Sequence, residues 1–166
     1  MLKILNSLAD IDFRQLMDVY EEGNCINGNE LYGKYSKNLQ IIYAEQDFYN
    51  YLVEFFEEPS ARYAVWIHNG RYVSALRLER YCDGLLMNAL ETIPVARKQG
   101  YAKKLIMAVL DYLRNIGCGR LYSHVQKDNV ASLCAHLSCG FMIASETAVY
   151  LDSSVRSDSY SLCINY

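Results

Sequence analysis

The sequence has few of the features that mark fibrous, linker-like or membrane proteins. Its 166 residues include only two prolines and nine glycines, which excludes collagen, proline-rich linkers and flexible arrays. No apolar run reaches the roughly 18 residues that a membrane-spanning helix needs, so no membrane partner is expected. The opening residues MLKILNSLADID turn acidic too soon for a signal peptide. We therefore expect a cytoplasmic protein.

Charge and cysteine spacing exclude two further classes. The net charge of −3 argues against a nucleic-acid partner, because phosphate binding needs a basic face. The six cysteines form no CxxC pair and no zinc-ligand spacing, so no metal site is predicted and small buried thiols in a reducing compartment are expected. Tyrosine is abundant, with 15 residues, and these rings suit either a ligand pocket or the core.

Residues 1–60 predict one strand followed by two helices. MLKIL is the strand, and Ser7 or Asp10 can cap a first helix. Apolar residues at helical spacing predict a second helix over residues 39–58. Between these helices, residues 23–33 contain three glycines and three asparagines, which is a composition typical of a loop.

The remaining sequence predicts a meander and then alternating helices and strands. Residues 62–92 divide into three antiparallel strands at an Asn69-Gly70 turn and an Asp83-Gly84 turn. The later elements are a helix over 101–117, a strand over 121–126, a helix over 130–139, and paired strands over 141–151 and 159–166. The pattern indicates one α+β domain with the order β-α-α-β-β-β-α-β-α-β-β.

A turn rich in basic residues stands out between the third strand of the meander and the following helix. A helix N-terminus offers unpaired N–H groups and a partial positive charge, and Gly100 and Ala102 leave room for a ligand. These features predict a site for a pyrophosphate, although a basic helix start can also be a solvated end. Neither GxxxxGK[ST] nor GxGxxG is present. The basic residues are Arg97, Lys98, Lys103 and Lys104.

The segment Arg97-Lys98-Gln99-Gly100-Tyr101-Ala102 matches the R/Q-x-x-G-x-G/A signature, and the chain resembles the GNAT superfamily of acetyl-CoA-dependent N-acetyltransferases. Downstream, Asn129, Ser132, His136 and Gly140-Phe141 follow that family's N-x-x-A-x-x-x-Y-x-x-x-G-F pattern. The resemblance is specific over about residues 62–150 and rests on element order alone over residues 1–60.

The resemblance implies a GNAT fold, which is an α+β fold with a mixed, mostly antiparallel sheet of about seven strands. Four helices would flank the sheet, and its strands 4 and 5 would splay apart. Residues 1–166 would form one domain. Residues 1–60 would lie on the acceptor side, residues 61–150 would form the acetyl-CoA core, and residues 151–166 would supply the final strand.

The resemblance also implies acetyl-CoA as cosubstrate and no metal. Backbone groups of Leu90 to Thr92 would pair with the pantetheine arm, N–H groups of Lys98 to Lys103 would surround the pyrophosphate, and Asn129 would bind pantetheine through its amide. The implied cofactor-binding residues are Leu90, Thr92, Arg97, Lys98, Gln99, Gly100, Tyr101, Ala102, Lys103 and Asn129.

Three residues are candidates for proton transfer. His136 replaces the family's tyrosine that protonates the leaving thiolate, and the alternative is a half-exposed polar residue. His124 lies five positions before Asn129, where some relatives carry a carboxylate base, and the alternative is a core histidine bonded to a backbone carbonyl. Glu91 can accept an ammonium proton, directly or through water, or it can only bind a cation.

The function implied by the resemblance is acetyl transfer to a primary amine by direct attack in a ternary complex. The acceptor would be a small-molecule or peptide amine. Acidic residues crowd the first sixty positions, which suits a cationic acceptor or simply a solvated face. The alternatives are a CoA-binding regulatory module with little turnover, and a transferase for a longer acyl group or an alcohol. The sequence leaves open whether the protein is a homodimer.

Overall fold

The chain folds around a mixed sheet with helices on both faces. The computed structural model describes residues 1–165. Within these residues, seven strands form one sheet in the order β1-β2-β3-β4-β5-β9-β6, and β7 and β8 form a separate hairpin. The strands are β1 Leu2–Leu5, β2 Arg62–His68, β3 Arg71–Tyr81, β4 Gly84–Thr92, β5 Arg120–Gln126, β6 Met142–Ser145, β7 Ala148–Val149, β8 Val155–Arg156 and β9 Ser159–Asn165.

Five α-helices occur within the described residues. They are α1 Phe13–Val19, α2 Glu21–Tyr32, α3 Lys37–Phe55, α4 Tyr101–Asn115 and α5 Val130–Leu137. Short 3-10 turns lie at Leu8–Asp10 and Pro94–Ala96. The predicted GNAT fold is confirmed, with one helix more than the four expected. None of the described helices is long and apolar enough to span a membrane.

Alternation along the strands builds a core on each face of the sheet. Successive strand residues point to opposite faces, so Leu76 and Leu78 join the core beneath α4, whereas Ala75 joins the core beneath α1 and α3. The expectation that tyrosines fill the core holds for Tyr20 and Tyr63, which are both buried on the α1 and α3 face.

The sheet opens between its two parallel strands. β4 and β5 are in register only from Leu85 to Met87 on one strand and from Leu121 to Ser123 on the other. Beyond these residues, β5 continues to pair with β9 and β4 continues to pair with β3. A wedge-shaped gap therefore forms between the C-terminal parts of β4 and β5, as the predicted splay requires.

The prediction of a loop over residues 23–33 is wrong, because most of this segment belongs to α2. Asparagine and glycine are weak helix formers, so the helix depends on its packing. The absent side chain of Gly28 lets α2 approach α3 closely, since a Cβ there would lie 2.7 Å from the carbonyl oxygen of Gln40. Asn24 is buried and its amide contacts the sulfur of Met17 at 3.3 Å.

The other differences from the sequence prediction are local. Asp12, rather than Ser7 or Asp10, caps α1 by accepting a hydrogen bond from the N–H of Gln15 at 3.1 Å. The predicted single strand over 141–151 is divided into β6 and β7. All six cysteines are free, but only Cys139 is buried, while the three exposed cysteines are Cys25, Cys82 and Cys134.

Candidate active site

A cavity of about 560 Å³ occupies the gap between β4 and β5. One wall comes from the end of β4 and the turn before α4, and the opposite wall comes from α5 and its N-cap. The cavity is lined by Leu90, Glu91, Thr92, Ala96, Arg97, Lys98, Gly100, Tyr101, Ala102, Lys103, Asn129, Ala131, Ser132 and Ala135. Most of the predicted cofactor-binding residues are thus brought together in one place.

The turn before α4 presents a row of unpaired backbone donors. The first hydrogen bond of the helix runs from the N–H of Lys104 to the carbonyl of Gly100 at 3.0 Å. Among residues 1–165, the N–H groups of residues 98–103 donate no hydrogen bond. Lys98 and Gly100 both have positive φ, at 61° and 79°. Positive φ at Lys98 and Gly100, but not at Gln99 between them, curves the turn so that its N–H groups point towards one place. Such a concave set of N–H groups favours the binding of an anion.

Two lysine side chains add positive charge to the same turn. Lys98 and Lys103 both line the cavity, and neither forms an ion pair within the described part of the chain. A Cβ added to Gly100 would meet no atom within 4 Å, so the space over this residue is free for a ligand. Gln99 is the predicted cofactor-binding residue outside the lining, and its side-chain amide donates instead to the carbonyl of Val95 at 3.0 Å.

Asn129 combines a structural contact with a free donor. Its Oδ1 caps α5 by accepting a hydrogen bond from the N–H of Ser132 at 3.1 Å. Its Nδ2 has no partner among the described residues and the residue lines the cavity. The amide therefore has two hydrogens available for a ligand.

A bulge in β4 shapes the other wall. Ala75 pairs with Glu91 and Arg77 pairs with Asn88, so the register shifts by one residue across Ala89 and Leu90. Ala89 has φ 50°, and its carbonyl accepts a hydrogen bond from the hydroxyl of Tyr20 at 2.7 Å. The bulge redirects the last residues of β4 towards the gap, as bulges beside functional sites commonly do.

Glu91 is the acidic residue of the lining. Its side chain is 47% exposed, and one oxygen lies 3.7 Å from Nη2 of Arg97. Burial raises the pKa of Glu91 above its usual range, Arg97 lowers it, and the charge of Glu22 adds a smaller upward effect. A carboxylate with a raised pKa at the cavity is a better proton acceptor than an ordinary surface glutamate.

His136 lies behind the cavity wall and is 1% exposed. Its Nδ1 is 2.7 Å from the carbonyl oxygen of Ser132, so Nδ1 must carry the proton and donate it there. Its Nε2 is 2.9 Å from the hydroxyl of Ser123 and accepts from it. Burial lowers the pKa of His136. The imidazole is therefore neutral, with both nitrogens occupied, and is not half-exposed as the alternative interpretation held.

His124 lies on the opposite face of β5, outside the cavity lining. Its Nε2 is 2.9 Å from the carbonyl oxygen of Val149, which is the backbone contact that the alternative interpretation anticipated. Its ring packs between Tyr81 and Tyr150, with centroid distances of 5.4 and 5.0 Å. Its Nδ1 is buried and has no partner among the described residues. Burial lowers the pKa of His124.

Four lining residues were not predicted from the sequence. Ala131, Ser132 and Ala135 share one face of α5, and Ala96 precedes the basic turn. Two features of the sequence could have indicated the residues of α5. The motif that begins at Asn129 requires a small residue at the position of Ser132, and helical spacing places Ala135 on the same face as Ser132. No group of three or more His, Cys, Asp or Glu residues is placed to hold a metal within the described residues.

The family assignment follows from comparison with known families. Residues 28–141 match the model of the acetyltransferase (GNAT) family. This chain belongs to that family. The match spans the bulge of β4, the basic turn and α5, so the elements that build the cavity lie inside it. Membership makes the chain an acyltransferase, as the motifs in residues 97–102 and 129–141 predicted. Comparison with curated protein sequences finds no match.

Solved structures share the same fold. PaiA N-acetyltransferase from Thermoplasma acidophilum, in complex with coenzyme A, is 14% identical with a TM-score of 0.67, and the match covers 100% of this chain and 99% of that one. The ribosomal-protein-S18-alanine N-acetyltransferase from Escherichia coli is 18% identical with a TM-score of 0.65, covering 99% and 94%. PseH from Campylobacter jejuni, in complex with acetyl coenzyme A, is 12% identical with a TM-score of 0.68, covering 99% of each chain.

Proposed function

We propose that this GNAT acyltransferase moves an acetyl group from acetyl-CoA to a primary amine. The observation that carries the proposal is the row of unpaired N–H groups at residues 98–103, which faces the gap beside the free edge of β4. A pyrophosphate would accept hydrogen bonds from these groups while Lys98 and Lys103 neutralise its charge. Relatives of the same fold are in complex with coenzyme A or acetyl coenzyme A.

The rest of the cofactor would extend along the cavity. Residues Leu90 to Thr92 have no partner strand on the β5 side, so their backbone groups can pair with the amides of the pantetheine arm. The free amide hydrogens of Asn129 lie across the gap and would donate to a pantetheine carbonyl. Residues 61–150 would thus hold acetyl-CoA, and residues 1–60 would face the acceptor within one domain.

The transfer needs a neutral amine, an attack on the thioester and a proton for the leaving sulfur. Glu91 would remove a proton from the bound ammonium, directly or through water, because its raised pKa favours taking it up. The amine nitrogen then forms a bond to the acetyl carbon, and the carbon–sulfur bond breaks. The thiolate of coenzyme A leaves and takes a proton from the amine or from water, so no covalent enzyme intermediate is required.

The two histidines take different places in this proposal. His136 would hold α5 against β5 through the hydroxyl of Ser123, while its other nitrogen donates within α5 to the carbonyl of Ser132, so both nitrogens are occupied. The Nδ1 of His124 carries a lone pair but is buried, so His124 is only the second candidate for a base. It lies outside the lining of the cavity, which favours Glu91.

The second candidate function is a CoA-binding module with little turnover. The observation that favours it is the position of His136, because the residue that replaces the family's tyrosine is buried with no free donor. In either case the acceptor class would be a small-molecule or peptide amine. One relative is named for an alanine of ribosomal protein S18, and that name supports a peptide amine as one member of a test panel.

The test measures acetyl-CoA binding by calorimetry and coenzyme A release with a panel of amines. Glu91→Gln is expected to lower kcat by about 100- to 10,000-fold and to leave the Kd for acetyl-CoA nearly unchanged. Glu57→Gln, at an exposed position in the turn after α3 and outside the cavity lining, makes the same charge change and should retain full activity. Binding without transfer to any amine would favour the CoA-binding module. Absence of binding would refute both functions.

A further inference from the structure

Arg97 joins two acidic side chains that come from different parts of the fold. Its Nη2 lies 2.6 Å from an oxygen of Glu22, in the first turn of α2, and 3.7 Å from an oxygen of Glu91 on β4. Its Nε donates to the carbonyl of Thr92 at 3.1 Å. The guanidinium of this signature residue is therefore turned towards the end of β4 and the acceptor side, while the N–H groups of residues 98–103 face the cavity.

The same nitrogen serves both carboxylates, so the two compete for it. The shorter contact is to Glu22, and the contact to Glu91 is at the long end of an ion pair. Removing Glu22 would free the guanidinium to move closer to Glu91, whereas removing Arg97 would leave Glu91 beside an uncompensated acidic neighbour. The two changes therefore act on Glu91 in opposite directions.

We propose that Arg97 is a positioning residue that holds Glu91 at the cavity and, through its competition with Glu22, controls how readily that carboxylate takes a proton from the acceptor amine. The inference rests on the proposed function, in which Glu91 is the base. It assigns to the arginine of the signature a task on the acceptor side, in addition to the binding of the cofactor by the backbone of its turn.

The backbone N–H of Thr92 lowers the pKa of Glu91 as Arg97 does, and three side chains face Glu91 from other parts of the fold. Arg97 approaches from the turn before α4, Glu22 from α2, and Tyr20 from the junction of α1 and α2. Burial holds the pKa of Tyr20 well above its usual range, so this phenol is neutral and does not titrate with Glu91. The three charged side chains are 42–55% exposed, so each ion pair is weak. Arg97 and Glu22 therefore shift the protonation of Glu91 by a modest amount and do not switch it on or off.

The experiment compares Arg97→Gln and Glu22→Gln through the pH dependence of kcat/KM. Arg97→Gln removes a cation that favours the charged carboxylate, so the acid limb should move to higher pH, lowering kcat/KM on that limb by about 3- to 10-fold. Glu22→Gln should move the limb to lower pH and raise kcat/KM there by about 2- to 3-fold. Arg97→Lys keeps the charge without the planar fork and should shift the limb less than Arg97→Gln.

A second measurement separates this inference from the proposed function. Titration of the Glu91 carboxyl by NMR in the absence of acetyl-CoA should give a higher pKa in Arg97→Gln and a lower one in Glu22→Gln. Lys37→Gln removes an exposed cation at the start of α3 and should change neither the pKa nor the rate. If the pKa of Glu91 moves as expected but Glu91→Gln retains full turnover, the coupling stands and Glu91 is not the base. If the pKa is the same in both variants, or moves in one direction, the inference is overturned.

Discussion

Met87 and Ser123 are the last residues in register between β4 and β5. Met87 is packed in the core beneath α4, and the Ser123 hydroxyl is fixed by His136. The sheet is therefore firmly held at the point where it begins to open. Beyond this pair, the two strands leave a cavity of about 560 Å³ between them. The basic turn, the edge of β4 and Asn129 line this cavity.

Gly100→Asp should abolish binding of coenzyme A. The aspartate adds bulk and negative charge over the turn where a pyrophosphate is proposed to bind, so we expect the Kd to rise by at least about 30-fold. Gly70→Asp is a matched control, because Gly70 has φ 75° against 79° for Gly100 and neither site has an atom within 4 Å of the new Cβ. Calorimetry with both variants checks the assignment. A normal Kd for Gly100→Asp would place the pyrophosphate elsewhere.

Two substitutions at Asn129 should distinguish its role in helix capping from its proposed role in cofactor binding. Asn129→Ser retains an oxygen that can cap α5 but removes the amide hydrogens, so it should keep its stability within about 0.5 kcal/mol and lose about 3- to 10-fold in affinity for coenzyme A. Asn129→Ala removes both and should lose a further 0.5–2 kcal/mol, roughly, of unfolding free energy. Urea denaturation and calorimetry measure the two effects. Equal affinity in Asn129→Ser and the unmodified protein would show that the amide does not bind the cofactor.

Two glycines of α2 should respond in opposite ways to alanine. A Cβ on Gly28 would lie 2.7 Å from the carbonyl oxygen of Gln40, so Gly28→Ala should force α2 from α3 and cost about 1–3 kcal/mol of unfolding free energy. A Cβ on Gly23 would meet no atom within 4 Å, so Gly23→Ala should stabilise the helix by about 0.5–1 kcal/mol. Urea denaturation compares them. Similar effects from both variants would mean that the close approach of α2 and α3 is not required.

His136 should make the protein sensitive to acid. Burial lowers the pKa of His136 in the folded state, so below about pH 6.5 the unfolded state binds more protons and the unfolding free energy falls. His136→Ala should be about 2–4 kcal/mol less stable at pH 8, because it removes a buried side chain bonded to Ser123. Its stability should also depend less on pH between 8 and 5.5. His68→Gln, at an exposed hairpin position, is the control.

Turnover by the same variant distinguishes the two roles considered for His136. A structural role predicts that any His136→Ala protein that remains folded retains turnover close to normal. A loss of about 100-fold in kcat without a loss of stability would support proton transfer by His136 instead.

The sequence alone determined the α+β class and the order of most elements, and its resemblance to GNAT motifs implied the fold family and most residues of the cavity. These features are local. A glycine with positive φ, a run of alternating apolar residues and an N-cap are each encoded within a few positions, so they can be recognised in residues 62–126 without the tertiary structure. These signals predicted the meander, the turn before α4 and the asparagine of α5.

Only the tertiary structure decided the helix at residues 21–32 and the partners of the titratable side chains. α2 forms despite its glycines and asparagines because packing against α3 compensates for weak intrinsic propensity. His136, His124 and Arg97 each lie at a motif position, yet Ser123, Val149 and Glu22 come from distant elements and determine which atoms are free to act. Sequence spacing gives the position of a side chain along its element, whereas proton transfer depends on burial and hydrogen-bond partners that only the folded chain brings together.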